Sequence, residues 1–72
     1  MRPKSSRPRD VARVAGRLGF VLSHQSGSHR VYKHPDGRRV VIPFHPGDVR
    51  TGLLRGVIED LGISIEQYND LA

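Results

Sequence analysis

The chain's pattern predicts an α+β fold, ordered α-β-β-β-α, with a three-stranded antiparallel sheet and a short C-terminal helix. Three observations carry that expectation. Val11, Val14, Ala15 and Leu18 repeat at helical spacing, and so do Leu53, Leu54, Val57, Ile58 and Leu61 later on. Between them lie three short runs of strand-forming residues, Phe20–Gln25, Ser28–His34 and Arg39–Ile42, separated only by turn residues. Three such runs with short connections make a meander, and its apolar face needs a helix layer to cover it.

Residues 1–7 are rich in Pro, Ser and Arg and read as a disordered basic arm, with 8–72 forming a single domain. The first helix should open at Pro8, which a first turn tolerates, with Asp10 favourably near the positive end of the dipole. Arg9, Arg13 and Arg17 stand four apart and give that helix a basic face beside its apolar stripe. Gly19 supplies the left-handed residue that ends the helix, with Phe20 folding back onto its last turn.

In the first strand Phe20, Leu22 and His24 alternate with Val21, Ser23 and Gln25, as in a half-buried strand. Val31 and Tyr32 are the apolar residues of the second. His34-Pro35-Asp36-Gly37 is a turn in which Pro35 presets φ and Gly37 accepts a positive one. Pro43 stops the third strand, and Phe44–Arg50 is a connecting loop with His45 as a turn residue. Thr51 is the expected cap of the second helix, and Gly62 ends it. Ser64 and Gln67, three apart, open the last helix with a capping box, and its Ile65, Tyr68 and Leu71 should face inward.

The 72 residues leave room for one thin core, and the absence of cysteine excludes disulfide staples and thiolate metal sites. No apolar run is long enough to span a bilayer, so a cytoplasmic location is expected. Charge is unevenly placed. Residues 1–56 hold all 12 Lys and Arg against three acids, a net +9, whereas 57–72 hold four acids and no base, a net −4. Such a one-sided field favours a polyanion on one face.

Within that basic body, Gln25-Ser26-Gly27-Ser28-His29-Arg30 places a histidine just after a glycine, between two strands. A histidine at the mouth of a tight turn is held by strand backbone yet open to solvent. With an unperturbed pKa of about 6.5, it can both take and give a proton near neutrality.

The helix end Leu18-Gly19-Phe20, the Gly27-Ser28-His29 motif and the Tyr32-x-His34-Pro35-Asp36-Gly37 turn form an ordered set. It continues with Val41-Ile42-Pro43-x-His45, Gly52-x-Leu54-Arg55 and Leu61-Gly62-Ile63-Ser64. In this set the chain resembles the HicA family of toxins, over about Asp10 to Tyr68. The resemblance implies a fold like that of double-stranded-RNA-binding domains. It also implies endoribonuclease activity on mRNA as the toxin half of a type II toxin–antitoxin pair, with a HicB-like antitoxin as the silencing partner. The family's catalytic histidine falls on His29. Two positions depart from the family pattern: Arg30 stands where a second histidine often follows, and Gly52-Leu53-Leu54 replaces Gly-Thr-Leu.

The chemistry is consistent with those residues. RNA carries its own nucleophile, the 2′-hydroxyl, so one histidine acting as acid or base with cationic donors at the phosphate is a minimal set, and no metal or cofactor is called for. Gly27, Ser28, Arg30 and Lys33 are the expected RNA-binding residues. By strand parity Lys33 shares the face of His29, and Arg30 points the other way. The motif itself offers no second proton-transfer group; His24, on the neighbouring strand, is the candidate. Tyr32 and Phe44 can stack bases or pack the core. The competing function is a non-catalytic module reading duplex RNA by shape, which would need the same basic surface but not His29. A DNA-binding role has no helix-turn-helix spacing behind it.

Overall fold

A computed structural model describes all 72 residues. Helix α1 spans Pro8–Arg17, followed by strands β1 (Val21–Ser26), β2 (His29–Lys33) and β3 (Arg39–Pro43) and helices α2 (Thr51–Leu61) and α3 (Ile65–Leu71). The sheet is antiparallel in the order β1-β2-β3. The order α-β-β-β-α-α is the expected α+β architecture.

The helices lie on one face of the sheet, packed over β3 rather than over β1. The core joins Val11, Val14 and Ala15 of α1 to Leu54, Val57, Ile58 and Leu61 of α2, with Tyr32, Val40 and Ile42 rising from the sheet and Tyr68 entering from α3. Alternation therefore assigns the sheet's two faces. Arg30, Tyr32, Val40 and Ile42 point to the helices, while His29, Val31, Lys33, Arg39, Val41 and Pro43 point away.

Strand β1 departs from the half-buried pattern expected of it. Every residue from Val21 to Ser26 is exposed, Val21 by 66% and Leu22 by 47%, because the helix layer does not reach this edge. Phe20 precedes the strand and is buried in the core. A bulge at Ser23 breaks the alternation, so Leu22 pairs with Tyr32 whereas His24 pairs with Val31 and changes faces.

The ends of the helices are set locally. The backbone N–H of Arg7 donates to the Asp10 carboxylate at 3.0 Å, and this bond, helped by Arg13, holds the Asp10 carboxyl below its ordinary range. Gly19, at φ +99°, turns the chain out of α1; a Cβ there would stand 2.9 Å from Nε2 of His34. That ring belongs to the turn: its Nε2 donates to the Leu18 carbonyl at 3.0 Å, and its Nδ1 accepts from the Asp36 N–H at 3.1 Å. Helix α2 begins at Thr51 itself, with Arg50 as an N-cap that supplies no side-chain bond, so the expected Thr51 cap shifts by one residue. The Ser64–Gln67 capping box is formed as expected.

Residues 1–7, whose composition reads as disordered, are tied to the body. Asn69 accepts from the Lys4 N–H at 2.7 Å and donates to the Arg2 carbonyl at 3.0 Å. The Val49 N–H donates to the Ser6 carbonyl at 2.8 Å. Ser6 is buried, accepting from the Tyr68 hydroxyl at 2.8 Å and donating to the Lys4 carbonyl at 2.9 Å. The arm is polar, but its backbone and one serine find partners on α3 and the loop before α2.

Candidate active site

The β1–β2 hairpin turns in two residues, Gly27 and Ser28, because Ser26 pairs directly with His29. Gly27 takes φ +58°, the positive value that the first position of a II′ hairpin demands. This tight reversal places His29 at the first position of β2, exposed on the helix-free face. On its other side His29 pairs with Pro43, the last residue of β3. The ladder runs on one step past the strands, where the Phe44 N–H donates to the Ser28 carbonyl at 2.6 Å.

That extra step fixes what comes next in the chain. His45 curls over the hairpin end, its Nε2 2.8 Å from the Ser28 hydroxyl and its ring centroid 6.1 Å from that of His29. The turn residue His45 is therefore the imidazole nearest the motif histidine. His24, the expected neighbour, reaches the same face through the bulge but pairs with Val31, two residues further along, and bonds Ser23 at 3.2 Å.

Arg30 points to the other face, into a cleft of about 450 Å³ between the start of α1 and the loop after β3. Arg7, Arg9, Arg30, Phe44 and His45 line it, and no carboxylate does. The Arg30 guanidinium lies 3.9 Å from the Phe44 ring centroid, a cation–π contact between two residues of the cleft lining. Its Nε is buried without a hydrogen-bond partner. Phe44 is thus the aromatic residue at the site, whereas Tyr32 is buried in the core.

Of the residues expected from the motif, Gly27, Ser28, His29 and Arg30 converge at one end of the sheet. Lys33 does not: it keeps the face of His29, but four residues along a strand separate the two by roughly 13 Å. His45, Arg7, Arg9 and Phe44 join the site from distant parts of the chain. No three His, Cys, Asp or Glu side chains are grouped as a bound metal ion would require.

The family model of the HicA toxin of bacterial toxin–antitoxin systems matches residues 8–63, more than three-quarters of the chain. This chain belongs to the HicA toxin family. That membership puts it on the toxin side of a bacterial toxin–antitoxin pair, with an antitoxin as its counterpart. No curated protein matches it. The match runs from the start of α1 past the end of α2, so it takes in the hairpin, His29, His45 and all of the cleft except Arg7. No helix of this HicA chain is long and apolar enough to cross a membrane.

Proposed function

We propose that this HicA toxin is a metal-independent endoribonuclease that cuts mRNA in the cytoplasm, with His29 in acid–base catalysis. One observation carries the reading: the exposed imidazole of His29 at the hairpin end stands 6.1 Å from that of His45, which lines a cleft with three arginines and no carboxylate. The cations hold and neutralise a phosphodiester while the imidazole moves the proton of the adjacent 2′-hydroxyl. Gly27 and Ser28 let the backbone approach the RNA, Arg30 contacts the phosphate at the cleft, and Lys33 meets another phosphate further along the strand. A HicB-like antitoxin silences the enzyme by covering His29 and the cleft with acidic groups, since burying unpaired arginines would cost several kcal/mol each.

The test is the nucleophile. The purified chain is expected to cut a single-stranded RNA and to leave a 2′,3′-cyclic phosphate, with no cut where the ribose 5′ of the scissile phosphate is replaced by deoxyribose. Cleavage at the deoxy position would mean that water attacks, and would remove the reason for a lone imidazole.

Binding should also depend steeply on salt. Each phosphate contact with a single strand contributes a slope of about −0.7 to log affinity against log salt. Arg30→Gln and Lys33→Gln are each expected to weaken RNA binding and flatten that slope by about 0.7, measured on an uncleavable 2′-deoxy strand. An unchanged slope in Arg30→Gln would place the phosphate outside the cleft.

A further inference from the structure

We propose that His45 is the second proton-transfer group of this active site, working as a pair with His29; the inference rests on the ribonuclease reading above. Cleavage through the 2′-hydroxyl needs two proton movements. One removes the hydroxyl proton and one supplies a proton to the departing 5′-oxygen. The two oxygens lie on opposite sides of the phosphorus in an in-line displacement, so a single rigid imidazole cannot reach both at once. Two imidazoles with centroids 6.1 Å apart can, each approaching one oxygen at about 3 Å with the phosphorus between them.

The surroundings of His45 suit that task. Its Nε2 is held by the Ser28 hydroxyl at 2.8 Å. For Nδ1 to take and give a proton, Nε2 keeps its own, so Nε2–H donates to the Ser28 hydroxyl in both the neutral ring and the imidazolium. The ring therefore keeps one orientation while its other nitrogen, Nδ1, exchanges a proton with the RNA. Ser28 is a positioning residue in this scheme, and it ties the ring to the same turn that fixes His29. His45 also lines the arginine cleft, so a phosphate held there lies against it. The charged groups around His45 are Arg7 and Arg9 at the start of α1, Arg30 and His29 on β2, and Asp48 and Arg50 of its own loop, which share a second cleft with it.

The step balances within the pair. One neutral imidazole takes the 2′-hydroxyl proton, and the freed oxygen pair forms the new O2′–P bond. The P–O5′ bond breaks with its electron pair passing to O5′, which takes the proton of the other ring, an imidazolium at the outset. The products are a 2′,3′-cyclic phosphate and a 5′-hydroxyl, and solvent resets the two rings.

The decisive experiment follows the pH dependence of kcat/KM for the wild-type chain and for His45→Gln, on a single-stranded RNA and on a ribonucleoside 3′-(4-nitrophenyl phosphate). The wild type is expected to give a bell-shaped profile on RNA. His45→Gln should lose one limb of the bell and about 10²-fold in rate. If His45 supplies the leaving-group proton, the variant recovers near wild-type rates on the nitrophenyl ester, whose leaving group needs no proton. If His45 is the base, the loss persists there and the missing limb is the acidic one. A variant that keeps both limbs, whether fully active or changed only in KM, overturns the proposal. When His29→Ala is inactive in that same series, the ribonuclease reading stands and only the role of His45 falls. A wild type that cuts no RNA brings down both.

Discussion

Replacing His29 by alanine is expected to lower RNA cleavage by about 10²–10⁴-fold, the range lost when a positioned acid–base group is removed. The fold should be untouched. His29 is exposed, its strand neighbours keep their backbone pairing, and a surface substitution of this kind changes stability by only about 0.5 kcal/mol either way. Binding should also persist, because the cations proposed to hold the phosphate, Arg7, Arg9 and Arg30, line the cleft and are unchanged. The variant therefore separates binding from chemistry. Its expected signature is a lost kcat with an RNA affinity close to that of the wild type, measured on purified protein whose circular dichroism and unfolding midpoint match the parent. Wild-type cleavage rates in His29→Ala would remove His29 from the reaction. In cells the same variant should relieve growth arrest and leave mRNA intact on induction.

How far the sequence reveals such a site depends on the range of the interactions that build it. The ends of α1 and α2 and the start of α3 are readable because each is settled within a few residues, by Gly19, by Gly62, and by Ser64 with Gln67. The hairpin motif was readable for the same reason, since Gly27 is the residue that the two-residue turn requires. The exposure of β1 was not. Alternation of apolar and polar residues says that a strand has two kinds of face, but not whether a helix layer extends far enough to cover one. The bulge at Ser23 leaves no local mark either, and it alone decides which face His24 takes. His45 is the instructive case. Its Pro43-x-His45 pattern was visible, and so was its place after a strand end. What was missing was the register that sets Pro43 opposite His29, a pairing across 14 residues of chain that carries the loop over the turn. The N-terminal arm taught a similar lesson: its composition is that of a disordered segment, yet its partners, Tyr68 and Asn69, lie more than 60 residues away.

That distant contact underlies the largest expected change in stability. Tyr68→Ala should cost about 3–5 kcal/mol, the range for deleting a large buried aromatic ring. Tyr68 is fully buried where α3 closes over the core. A chain of this length has a total stability of roughly 4–11 kcal/mol at 0.05–0.15 kcal/mol per residue, so the variant would stand near or below the folding threshold. Tyr68→Phe keeps the ring and loses only the hydroxyl, which donates to buried Ser6. Its cost should be about 0.5–1.5 kcal/mol, and it should loosen residues 1–7 first, seen as faster amide exchange at Lys4 and at Val49. The phenol adds a dependence on pH. Burial pushes its pKa above the ordinary value of about 10, only partly offset by the Ser6 bond. The unfolded chain therefore ionises first, so the stabilisation is complete below pH of about 10 and is lost as pH rises toward the folded pKa. Tyr68→Phe should lack that alkaline loss. Urea unfolding of the full chain decides the matter: a Tyr68→Ala stability within about 1 kcal/mol of the wild type at unchanged m-value would mean that α3 and the arm contribute nothing to the cooperative core.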